Sequence, residues 1–178
     1  MKSEVKDCFK TAINDEKKGK KHKGLLITKP DNKIAEEYLI KAKKNLELCD
    51  VYKDEGYDYK IPEEWFYTLY YCALAILAKF GIESRSQKCT ALFLRYAQDN
   101  HLIEYDDEFI DRITVYKDKD ETSDVDEREK SRYGSSVRSQ EIENRYEYMN
   151  QLCKRAIFKC EEIVFSDKEF KIPKEEYI

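Results

Sequence analysis

Apolar residues recur along most of this chain at intervals of three and four, the spacing of helix faces rather than of strands. The densest case is WFYTLYYCALAILAKFG, residues 65–81, which holds no proline and no charge before Lys79. Trp65, Phe66, Leu69, Cys72, Ala73, Ile76, Leu77 and Phe80 follow helical spacing, while Tyr67, Tyr70, Tyr71, Leu74, Ala75 and Ala78 fill most of the other faces. A helix that is apolar nearly all round has to be covered on most sides. About 17 residues rise roughly 25 Å, marginally short for a membrane span, and Glu63 and Glu64 directly ahead suit a buried soluble helix better. Pro62 stands one step before the first predicted turn, and Gly81 stands where a left-handed cap would end the helix.

Weaker stripes flank this central helix. Val5, Phe9, Ala12 and Ile13 predict a short helix over 4–18, and GLLITKP, residues 24–30, reads as a loop lying against the body. Asp31 or Asn32 can cap a helix over 33–53. Its stripe is Ile34, Ala35, Tyr38, Leu39, Ala42, Leu46, Cys49 and Tyr52, with Glu36, Glu37, Lys41, Lys43, Lys44 and Glu47 on the wet side. The short connection past Gly56 makes it an antiparallel neighbour of the central helix. Ser84 or Ser86 can cap a further helix to about Asn100, with Cys89, Leu92, Phe93 and Tyr96 inward, and a shorter one is predicted over 107–116. From Ser139 to about Phe165 runs the most regular stripe, including Ile142, Tyr146, Met149, Cys153, Ala156, Cys160 and Ile163. The expected fold is an all-α, up-and-down bundle of about five main helices over 31–166. An N-terminal helix and basic connector precede it over 1–30, and a charged tail follows over 167–178.

Composition agrees with that outline. The chain is 41% hydrophobic and 39% charged over 178 residues, enough for one core under a dense ionic surface. Five glycines and three prolines are too few for a turn-rich β fold. A net charge of −4 argues against a dedicated polyanion binder but leaves room for local basic patches. KKGKKHKG, residues 17–24, is one such patch: a contact for phosphates or a solvated connector. Residues 117–132 are nearly all polar, either a disordered excursion or a polar helix at the edge of the core.

Chemistry is sparse. The chain carries no P-loop, dinucleotide-binding glycine pattern, HExxH or GxSxG. Of the two histidines, His22 sits in the basic patch and His101 follows a helix end, where the helix dipole explains it. The six cysteines show neither CxxC spacing nor a histidine at metal-ligand distance, so they are expected to be reduced, buried and metal-free. No cofactor is expected. The charged start of the chain, without an apolar leader, gives a cytoplasmic expectation.

WFYTLYYCALAILAKFGIESRSQKCTALF resembles the signature of HEPN domains, small helical modules of prokaryotes associated with nucleotides and RNA. Phe66 and Tyr67 stand at the family's aromatic pair, Tyr70 and Tyr71 at its Phe-His step, Gly81 at its glycine, and Ser86 and Gln87 at its Thr-His step. The preceding helix, AEEYLIKAKKNLELCDVYKDEGYDY, is similar to the family's first helix. REKSRY, from Arg128 to Tyr133, resembles its RxxxDY motif with Arg132 in place of the acidic residue, and AIFKCEEIVF resembles its closing segment. The resemblance covers about residues 32–165.

Catalytic members of that family are metal-independent ribonucleases that pair an arginine with a histidine four to six residues on. The resemblance therefore implies a phosphate-holding Arg128, assisted by Arg132, with Tyr133 in the histidine's place. A tyrosine with pKa near 10 is a poor base at neutral pH, although it can hydrogen-bond a phosphate or stack on a base. The implied function is RNA or nucleotide engagement with ribonuclease activity weak or lost, in a homodimer. A partner protein such as a nucleotidyltransferase-type antitoxin is also implied. A second reading, from the missing histidine and the acidic net charge, is a non-catalytic helical adaptor, a toxin–antitoxin component in one form. In that reading Arg128, Arg132 and Tyr133 belong to a solvated charged helix. Neither reading involves a membrane.

Overall fold

A computed structural model describes residues 3–114 and 139–167. Within them six helices follow in order: α1 (Ser3–Lys17), α2 (Asn32–Asp54), α3 (Ile61–Lys79), α4 (Gln87–Asp99), α5 (Asp107–Arg112) and α6 (Ser139–Val164). The architecture is an all-α bundle with α3 at its axis. Trp65, Phe66, Leu69, Cys72, Ala73, Ile76 and Leu77 are each at most 2% exposed. α3 begins earlier than its densest apolar stretch, because buried Ile61 extends the apolar face and Pro62 falls inside the first turn, where no N–H is needed.

Its far end is set by Gly81, which adopts φ +71°. A side chain there would be strained, and its Cβ would meet Pro30 N and Thr28 O, each at 2.8 Å. The chain returning from the N-terminal segment is therefore pressed against the end of α3.

α2 runs antiparallel to α3. Asp31 caps it, its Oδ1 accepting from Ile34 N at 2.9 Å, while Thr68 Oγ1 donates to Ala42 O at 3.4 Å and Asn45 Nδ2 to Glu64 Oε2 at 2.7 Å. α6 runs parallel to α3 on another side. Trp65 Nε1 donates to Asn150 Oδ1 at 2.8 Å, Cys160 Sγ to Cys72 O at 3.4 Å, and Lys79 Nζ to Ser166 O at 2.9 Å. Ile34, expected inward on α2, is 44% exposed, whereas the next residue, Ala35, is fully buried.

Three features depart from the sequence reading. The stretch expected to be a loop contains a strand, β1 (Leu25–Ile27), antiparallel to β2 (Ile82–Ser84), with Leu25 opposite Ser84 and Ile27 opposite Ile82. Three-residue strands are too short to show alternation; they form here because Leu25 and Ile82 are both buried and the backbone around them needs partners. Next, Cys8 and Cys89 form a disulfide, with Cα atoms 5.9 Å apart, so not all thiols are reduced. α1 packs on α4 and brings these residues together across 81 positions, a contact that spacing in sequence cannot reveal. Cys49, Cys72, Cys153 and Cys160 are buried and lie outside the disulfide, as expected of packing residues. Finally, α5 stops at Arg112 rather than near residue 116, where Thr114 N donates to Asp111 O and its Oγ1 to Ile110 O at 2.7 Å. The polar stretch 117–132 lies outside the described residues. Among those residues, no helix is long and apolar enough to cross a membrane.

Candidate functional site

Helix α3 turns different residues toward each neighbour and leaves one flank partly open. Trp65 and Cys72 meet α6, Lys79 meets Ser166 just past its end, Thr68 and Glu64 meet α2, and Tyr70 hydrogen-bonds Thr90 of α4. Tyr67, Tyr71 and Leu74, spaced by four and three, are only half-buried. Along α2 the matching line is Tyr38, Lys41 and Asn45, spaced by three and four. Because the helices are antiparallel, the two lines meet side by side.

Their meeting forms a shelf of tyrosines. The Tyr38 and Tyr71 rings lie 6.0 Å apart at 21°, and those of Tyr67 and Tyr71 5.8 Å apart at 28°. Lys41 Nζ stands 5.4 Å from the Tyr38 ring centre and 5.6 Å from that of Tyr71, within cation–π range of both. The Asn45–Glu64 hydrogen bond closes one end. Underneath, Phe66 stacks on Tyr70 at 5.7 Å and 15°, and meets Tyr67 edge-on at 5.3 Å. Thr90 in turn lies 2.7 Å from Ser84 Oγ and donates to Ser86 O at 2.9 Å, so the layer below the shelf rests on the start of α4.

The electrostatics set what this shelf can do. Burial, then the neighbouring Tyr67, Tyr38 and Glu64, pushes the Tyr71 phenol above 10. Burial does the same to Tyr70, against the Thr90 hydrogen bond. Both phenols are therefore protonated donors at neutral pH, not bases. Burial, then Glu63, raises the Glu64 carboxyl, while Lys60 opposes the shift. Flat π faces with an adjoining ammonium suit an aromatic anion.

Two other polar groupings tie helices to one another. Tyr146 donates to Asp50 Oδ1 at 2.5 Å beneath Lys53, whose Nζ lies 3.9 Å from the ring centre, and this ties α6 to α2. Glu108 accepts from Tyr148 and from Arg112, and Arg155 approaches it at 3.5 Å, while Arg95 bridges Asp107 and Asp111. This clasp joins α4, α5 and α6. Beside it, an open groove of 530 Å³ is lined by His101, Ile103, Glu104, Lys159, Glu162 and neighbouring residues. His101 there is exposed with φ +54°. Among the described residues, no group of three or more His, Cys, Asp or Glu side chains could hold a metal ion.

Arg128, Arg132 and Tyr133 lie outside the described residues. Of the other positions carrying the resemblance, Phe66, Tyr67, Tyr70 and Tyr71 gather at the shelf and the layer below it, Gly81 ends α3, and Ser86 caps α4, its Oγ accepting from Cys89 N at 3.3 Å. Tyr38 and Lys41 were not singled out as functional from the sequence; their signal is the three-and-four spacing opposite Tyr67 and Tyr71. His22, expected on a solvated basic stretch, is only 4% exposed, because its Nε2 meets Glu83 of β2 at 3.3 Å. Comparison of the chain with family models, curated proteins and solved structures finds no match.

Proposed function

We propose that this chain is a HEPN-like helical module that engages RNA or a nucleotide and cleaves it poorly or not at all. The observation that supports this reading is the Lys41-flanked row of Tyr38, Tyr71 and Tyr67. Ring faces can stack on bases of any sequence, and an adjacent ammonium neutralises phosphate. Arg128, with Arg132 and Tyr133, is proposed as a second phosphate contact, since an arginine fork suits phosphate oxygens. Tyr133 at the place of the family's histidine removes proton transfer near neutral pH, a loss of about 10²–10⁴-fold.

The test measures both binding and cleavage. The unmodified chain is expected to bind labelled single-stranded RNA in a salt-sensitive manner, with little cleavage at neutral pH, and Arg128→Ala should weaken binding. Tyr133→His is expected to raise cleavage. Robust cleavage by the unmodified chain, abolished in Tyr133→Phe, would contradict the proposal, as would binding unchanged by both Arg128→Ala and Tyr71→Ala.

The adaptor reading has its own observation. Ile40 on α2, Phe158 on α6 and Phe165 just beyond its end are 53%, 56% and 60% exposed, close in sequence to the Lys43–Glu161 bridge between those helices. Exposed apolar residues on adjoining helices suit a protein partner, a second copy of the chain included. Light scattering on the purified chain separates monomer from dimer.

A further inference from the structure

The Lys17–Lys23 stretch is not a loose connector. Lys18 N and Lys20 N both donate to Asp15 O, at 3.1 and 3.0 Å, and Gly19 N donates to Glu16 O at 2.8 Å. Lys23 N then donates to the Asp15 carboxylate at 3.0 Å. Between these bonds His22 turns inward, with Nε2 on Glu83 and its Nδ1 enclosed without a partner. Gly24 follows hard against α1, where a Cβ would come within 2.1 Å of Cys8 O, and Gly24 O accepts from Arg85 N at 3.2 Å. The Cys8–Cys89 disulfide holds the same corner to α4.

What this anchoring fixes is charge. Lys17, Lys18, Lys20, Lys21 and Lys23 are all exposed. No carboxylate of the described residues pairs with any of the five side chains. Glu83, the nearest acid on β2, is already occupied by Arg85 at 2.7 Å and by His22. Five like charges at the end of α1 and in the turn after it repel one another, and a solvated connector would relieve that by staying extended. Here the backbone is bonded into a turn and its one histidine is buried, so the cations are gathered on a chain whose net charge is −4.

Resting on the reading that the chain engages RNA or a nucleotide, we propose that the Lys17–Lys23 turn is a contact surface for the phosphodiester backbone of a nucleic-acid strand. This names the ligand class as a strand rather than a mononucleotide. One nucleotide's phosphate can satisfy one or two ammonium groups; five gathered ammonium groups match successive phosphates, whose counterions they displace. The turn reads no sequence, because phosphate contacts position a strand without specifying it.

The experiment uses the full chain, a fluorescein-labelled 20-nucleotide single-stranded RNA and labelled ATP, read by anisotropy at several salt concentrations. The variant K20Q/K21Q/K23Q is compared with K33Q/K44Q/K154Q, which removes the same charge at exposed positions elsewhere. All six lysines are exposed, and matching melting temperatures confirm that folding is preserved. The turn variant is expected to bind the strand about tenfold to a hundredfold more weakly, with the logarithmic salt slope shallower by about two, and to bind ATP as before. The control triple is expected to retain most of the affinity. Strand binding unchanged in the turn variant, or equally weakened in the control, overturns the inference. Binding of ATP without the strand overturns it but leaves the proposed function standing, and binding of neither removes both.

Discussion

Tyr71 illustrates how a single side chain can belong to packing and to a surface at once. Its ring meets those of Tyr38 and Tyr67, and its phenol is held protonated by burial and by those neighbours. Five residues further along the same helix, Ile76 is fully enclosed. Ile76→Ala is expected to cost about 2–5 kcal/mol through the cavity it leaves, measured by urea unfolding; a loss below about 0.5 kcal/mol would show that α3 is not core. The carboxylates give a pH signature. Burial would raise Glu108 and Glu83, yet the hydrogen bonds of Tyr148 and Arg112, and of Arg85 and His22, outweigh it and hold both below the ordinary 4.5. Their stabilising contribution is therefore present above 4.5 and lost as pH falls through the lowered folded values. Glu64, raised by burial, acts in the opposite sense: its contribution is present below 4.5 and lost as pH rises through its folded value. Glu108→Gln is expected to flatten the acid limb of a stability–pH curve as pH falls below 4.5. An unchanged limb would mean that the clasp around Glu108 adds no stability.

Elements built from long periodic stripes were legible in the sequence, and elements built from distant contacts were not. α2 and α6 begin and end within about a residue of where their stripes and caps place them, since each buries a face that the spacing alone defines. The two strands escaped notice because their pairing joins residues 25–27 to 82–84, and nothing local in either run signals the other. The Cys8–Cys89 bond escaped for the same reason. The shelf was half legible: its aromatic half on α3 was singled out, while Tyr38 was assigned to the core and Lys41 to the wet side. Which flank of α3 stays open depends on where α4 and α6 dock. The disulfide closes a long loop, so breaking it in Cys8→Ser is expected to lower stability by about 2–4 kcal/mol. Equal denaturant midpoints for Cys8→Ser and the unmodified chain would show that the bond does not hold α1 in place.

Over the whole molecule, the sign of the charge changes from place to place although the total is only −4. Acidic and basic groups are matched in the clasp of α4, α5 and α6, while the Lys17–Lys23 turn collects cations without counterparts among the described residues. Such segregation lets an acidic chain meet a polyanion through one surface. The proposed role of the tyrosine shelf is to hold bases. It is tested most directly by titrating a fluorescent 20-nucleotide single-stranded RNA with the unmodified chain and with a Tyr38→Ala/Tyr71→Ala variant, at one fixed salt concentration. Stacking is worth about 1–3 kcal/mol per base, so the account predicts a loss of at least about fivefold in affinity in a variant that still melts cooperatively. Equal affinities for the two proteins would contradict it.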